Sequence, residues 1–160
     1  AELIPQVRAF LHAHTELIPL EYTILFHYQF SYLFFIQGDF GNALKDVNTV
    51  LDHRYHAERA DIIGYAHFLN LIIHFELGNI TVLKYSVEAC RRFLKKRGNL
   101  QEFEKVLLRM FSRLSTRPQT QHRSIMEKTV EQLFSHPSLV SDSQLDYLDF
   151  RLWLESHIRT

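Results

Sequence analysis

An internal repeat at an offset of 40 residues constrains this chain more than any other feature. Residues 25–51, LFHYQFSYLFFIQGDFGNALKDVNTVL, lie over residues 65–91, YAHFLNLIIHFELGNITVLKYSVEACR. The overlay puts His27 on His67, Tyr28 on Phe68, Leu33 on Ile73, Phe35 on Phe75, Gly38 on Gly78, Ala43 on Leu83 and Val47 on Val87, while Leu44 meets Lys84. Each copy reads as an apolar helix, a Gly turn and a second helix. Such a unit cannot bury its apolar face alone, so its repetition is the signature of stacked α-hairpins. Arrays of this kind bind partners more often than they catalyse.

The rest of the chain agrees with helices. Apolar residues recur at intervals of three and four almost throughout, and only 5 Gly and 4 Pro interrupt 160 residues, which argues against a sandwich or barrel. A hydrophobic content of 46% suits one folded domain over residues 1–160. The pattern predicts about eight helices: from Pro5 to about residue 14, 20–37, 40–53, 60–77, a helix capped by Asn79 or Thr81 and running to 97, 100–114, 119–134, and a last one opened by Ser141 and Gln144 as a capping box. Gly38, Gly78 and Gly98 supply the stops. In the final helix Leu145, Leu148 and Leu152 adjoin Tyr147, Phe150, Trp153 and Leu154, as in a cap that closes a helical stack.

The single cysteine, Cys90, allows no internal disulfide, which fits a cytoplasmic setting. No apolar run approaches the roughly 20 residues that span a bilayer, so no membrane partner is expected. The chain starts at Ala1 without Met, which suggests the C-terminal part of something longer. Charge is uneven although the net charge is zero: residues 84–128 hold 12 Lys and Arg against 4 Asp and Glu, between acidic flanks.

The segment GDFGNAL, residues 38–44, behind an aromatic helix resembles the turn and second-helix start of a tetratricopeptide repeat, and GNITVLK, residues 78–84, resembles it more loosely. The spacing of 40 exceeds the roughly 34 of that repeat, with the excess in the connection at 53–61. LNLIIHFELGN, RRFLKKR and YLDFRLWLES further resemble uncharacterised tetratricopeptide-like proteins of Bacteroidetes-type bacteria. The resemblance implies a right-handed α-α superhelix, an α-solenoid; it supports the fold and supplies no activity. In peptide-binding members, Lys, Arg and Asn on the first helix of each hairpin clamp a carboxylate. The matching positions here are Leu25, Tyr28, Tyr32 and Phe35, then Tyr65, Phe68, Ile72 and Phe75. They imply instead an apolar groove for a helix or extended peptide.

Candidate partner-binding residues are therefore Tyr28, Tyr32, Phe35, Phe68, Ile72 and Phe75. The competing reading makes this stripe core, covered by the third hairpin or the terminal helix. Arg91, Arg92, Lys95, Lys96, Lys105 and Arg109 form a candidate basic face for an acidic partner or nucleic acid. Against that reading, cations near a helix C-terminus are stabilised by the helix dipole. The histidine pairs His53/His56 and His67/His74 lack the further ligands of a zinc site, and HExxH is absent. Cys90 shares a helical face with Leu83, Val87 and Leu94, and no nucleophile with a base partner is evident. The expectation is a non-enzymatic scaffold or protein-interaction domain without catalytic residues or cofactors. Its partner would be a protein or peptide, including another region of its own parent chain. A nucleic-acid-binding module is the alternative.

Overall fold

The computed structural model describes residues 2–52 and 58–160, so the pair His53/His56 lies outside the described residues. Among them the regular structure is entirely helical: α1 (Leu3–Ala13), α2 (Leu20–Ile36), α3 (Phe40–Leu51), α4 (Ala60–Glu76), α5 (Ile80–Arg97), α6 (Glu102–Leu114), α7 (His122–Phe134), α8 (Asp142–Tyr147) and α9 (Phe150–Arg159), with one 3-10 turn at Gln119–Gln121. Two compact units result, Ala1–Ile73 and His74–Thr160, and α4 belongs to both. No helix of the described residues is long and apolar enough to cross a membrane.

The two repeat turns have matching geometry. Gly38 and Gly78 take φ of +77° and +70°, the left-handed region that an L side chain enters only with strain. Behind α2, Gly38 N–H donates to Phe35 O at 3.0 Å and Asp39 N–H to Phe34 O at 2.9 Å; behind α4, Gly78 N–H donates to Phe75 O at 3.0 Å and Asn79 N–H to His74 O at 3.0 Å. These bonds occupy the carbonyls that a helix end leaves open. Past each turn, Ala43 and Val47 of α3 and Leu83 and Val87 of α5 are buried at the same repeat positions.

In the first unit α1 packs Ile4 and Leu11 against Phe30 of α2. A buried carboxylate ties three helices together. Asp46 of α3 pairs with Arg8 of α1 and accepts from His27 Nδ1 of α2 at 2.9 Å, and the Arg8 guanidinium sits 4.9 Å from the centre of the Phe30 ring. Ser31 Oγ donates to Ala43 O at 2.8 Å, joining α2 to α3 inside the core.

The second unit is organised around α6, whose Phe103, Leu107, Met110, Phe111 and Leu114 are buried while Lys105, Arg109 and Arg113 face solvent. Arg97, at the end of α5, donates to Glu104 of α6 at 2.7 and 2.9 Å, and Glu104 also accepts the Gln101 N–H at 2.9 Å. Aromatic stacking joins α9 to the unit, Phe150 on Phe103 at 6.0 Å and Trp153 on Phe111 at 5.7 Å. The single last helix expected from the sequence is two. Leu148 is extended and buried, and Asp149 opens α9 by accepting the Leu152 N–H at 2.9 Å.

Candidate functional site

Residues of the α4 end, the α6 end, the start of α7 and α9 line a cleft of about 640 Å³ in the second unit. The turn at Gly78 ends α4 so that Phe75 and Glu76 lie on its wall. Glu76 is the hub of this wall. Its Oε1 accepts the Trp153 Nε1–H at 2.6 Å and bonds His157 Nε2 at 2.5 Å. A carboxylate only accepts, so His157 carries its proton on Nε2. Burial pushes the Glu76 carboxyl up, but the bonds from His157 and Trp153 together outweigh it, and the group ends below its ordinary value.

The aromatic ring of Phe75 connects the hub to the far wall. It meets Trp153 at 5.7 Å and His157 at 5.5 Å edge to face, and His122 of α7 at 5.6 Å. His122 Nε2 donates to the Arg117 carbonyl at 3.0 Å. Arg117, Arg123 and the exposed Ile80 complete the lining that matters chemically, two cations and an apolar side chain. Arg123 is engaged with Glu127 at 3.0 Å. Arg117 has no carboxylate within ion-pair distance among the described residues.

The residues singled out by sequence fall into separate places. Tyr28, Phe68 and Ile72 are packed inside, each at most 3% exposed, and burial raises the Tyr28 hydroxyl pKa. Tyr32 and Phe35 are half-buried links in a ladder of rings on α2, with Tyr28–Tyr32 at 6.5 Å, Tyr32–Phe35 at 6.3 Å and Phe35–Phe40 at 6.0 Å. Phe75 belongs to the cleft. On the basic face, Arg91 pairs with Glu88, and Lys105 pairs with Glu102 at 2.6 Å, a bond that holds the Glu102 carboxyl below its ordinary value. Arg92, Lys95, Lys96 and Arg109 are exposed with no carboxylate in ion-pair reach among the described residues. His67 and His74 are buried along α4, and burial lowers the His74 pKa. Cys90 is buried and its thiol pKa is driven upward, chiefly by desolvation.

A second surface escaped the sequence reading. Tyr22, Phe26, Gln29, Leu33 and Ile36 follow one another along α2 at spacings of four and three. Tyr22, Leu33 and Ile36 are 50%, 45% and 64% exposed, Gln29 is exposed, and Phe26 is half-buried. Their repeat equivalents for the first four positions, Ile62, Ala66, Leu69 and Ile73 of α4, are all fully buried. The signal was present in the uniformly apolar composition of α2, which left its faces indistinguishable.

Comparison with known proteins finds no matching family model, no similar curated protein and no similar solved structure.

Proposed function

We propose that the protein is a non-enzymatic interaction domain that receives an apolar helix of a partner protein along α2, with Tyr32 and Phe35 at the edge of the contact. The carrying observation is the unequal burial of one repeated stripe: covered on α4, open on α2. A helix that is apolar all round normally lies in a core, and large exposed apolar surface on a protein marks an interaction site. The four-and-three spacing of the open side chains is the seam against which a second helix packs. A superhelical stack of hairpins accommodates such a partner as one more layer.

Selection from a random peptide library on the immobilised protein, with nuclease present, tests this reading. Enriched peptides carry apolar residues at helical spacing, and Leu33→Glu/Ile36→Glu abolishes their binding without changing the melting temperature. Binding that survives this double substitution refutes the site. The uncompensated Arg92, Lys95, Lys96 and Arg109 favour nucleic acid as a second reading. It predicts retardation of DNA or RNA at low salt that a fourfold alanine variant removes, and it falls if no retardation occurs.

A further inference from the structure

We infer that the cleft of the second unit binds a small organic monoanion with an apolar body, the charge resting on Arg117 and the body on Phe75 and the exposed Ile80. The size is suitable: about 640 Å³ lies within the few hundred to about 1,000 Å³ typical of small-ligand sites. So is the mixture of apolar side chains with a few polar groups.

The arginine left without a carboxylate sets the sign and number of the ligand's charges. Glu76 is the acid among the lining residues, and its Oε1 accepts from Trp153 and His157. Arg123 is taken up by Glu127, which leaves Arg117 as the lining cation without a carboxylate among the described residues. One negative charge pairs with Arg117, whereas a second finds no further unpaired arginine among the described lining residues and is repelled by the ionised Glu76. The Arg117 backbone is also held in position. Its N–H donates to Arg113 O at 2.8 Å, its carbonyl accepts from His122 at 3.0 Å, and Pro118 follows it. The guanidinium at the end of this exposed side chain carries the planar, paired donors that match an oxyanion.

The chain's one tryptophan, Trp153, packs against Phe75 and His157 and hence reports on this cleft. The test titrates the full chain with octanoate, following Trp153 fluorescence and, independently, equilibrium dialysis. Inorganic phosphate supplies the charge without the body, and 1-octanol the body without the charge. Saturable octanoate binding is expected by dialysis, with phosphate and 1-octanol each at least about 10-fold weaker and Arg117→Gln weakening octanoate by about 10-fold or more. Arg117 is exposed, so this variant melts as the parent does. Arg117→Lys recovers part of the affinity, and Arg123→Gln changes it less than 3-fold because Arg123 is already engaged. Non-saturable octanoate uptake, equal binding by Arg117→Gln, or equal binding of 1-octanol or phosphate each overturns the proposal. None of these outcomes bears on the α2 stripe, which lies in the other unit.

Discussion

Removing either partner of the Arg97–Glu104 bridge should destabilise the second unit, and by unequal amounts. The Glu104 side chain is 5% exposed and that of Arg97 19%, so the carboxylate is the partner that cannot return to water if left alone. Arg97→Met strands a buried charge and is expected to cost about 3 kcal/mol, the low end for breaking a buried pair. Glu104→Leu strands a guanidinium that can partly rehydrate, and it forfeits the acceptor of the Gln101 N–H, worth about 1 kcal/mol, for a total of about 2 kcal/mol. In the double variant no charge remains buried, and apolar side chains of similar length fill the site. Its cost should be about 2 kcal/mol rather than the additive 5 or so, a coupling of about 3 kcal/mol. Urea unfolding followed at Trp153 isolates the unit concerned. A loss of 3 kcal/mol lowers the midpoint by roughly 1–2 M at unchanged slope. Additive costs in the double variant would refute the claim that the bridge, rather than apolar contact at the corner, joins α5 to α6.

Three other outcomes follow from the same geometry. Gly38→Ala and Gly78→Ala should each cost about 1 kcal/mol, since no atom lies within 4 Å of the added Cβ at either site and only the backbone is strained; thermal melts that differ between the two by more than this would break their equivalence. Phe68→Ala, at a buried position, should lose about 3–5 kcal/mol, whereas the exposed Leu33→Glu should change stability by less than about 0.5, as denaturant midpoints will show. Burial depresses the His74 pKa in the folded state, so the unfolded chain binds the extra proton first; the stability from this neutral ring is present above the ordinary imidazole value of about 6.5 and declines as pH falls below it. Midpoints measured from pH 7.5 to 5.5 should fall less steeply for His74→Gln than for the parent, and parallel curves would exclude His74 as a source.

What the sequence disclosed was local or periodic. Gly38 and Gly78 announce helix stops because few other residues enter their φ region, and the turns they make share the two backbone bonds that close each helix end. Ala43, Val47, Leu83 and Val87 were recognisable as core because α3 and α5 are amphipathic, so periodicity selects a face. On α2 and α4 nearly every face is apolar, and periodicity selects nothing. The ladder Tyr28, Tyr32, Phe35 was preferred there, although exposure peaks on the neighbouring stripe. Ser141 was legible as a helix start, but the extended Leu148 was hidden because its break depends on burial rather than on Gly or Pro. The cleft was least legible of all. Glu76, Arg117, His122 and His157 converge only through packing, and the sole local hint is a carboxylate at the repeat position that Ile36 holds in the first copy.

Energetics narrow how a partner helix would lie on α2. Completing the burial of Tyr22, Leu33 and Ile36, each already about half covered, yields roughly 1 kcal/mol apiece, or about 3 in all. A micromolar complex needs about 8 kcal/mol, more still before the cost of immobilising the partner. The three side chains therefore do not suffice, and the bound helix must reach the half-buried Tyr32 and Phe35 beside them. Phe35→Ala should then weaken a selected peptide by at least about 5-fold. Gln29 sits exposed at the centre of the stripe, where an amide left unpaired under a partner is costly and so selects a helix bearing its own polar group at that level. Gln29→Leu should tighten wholly apolar peptides by about 5-fold and weaken those with an Asn or Gln opposite, a reversal measurable by titrating two peptides that differ at one position. If both peptides respond in the same direction, Gln29 does not lie under the partner, and the register inferred for the bound helix is wrong.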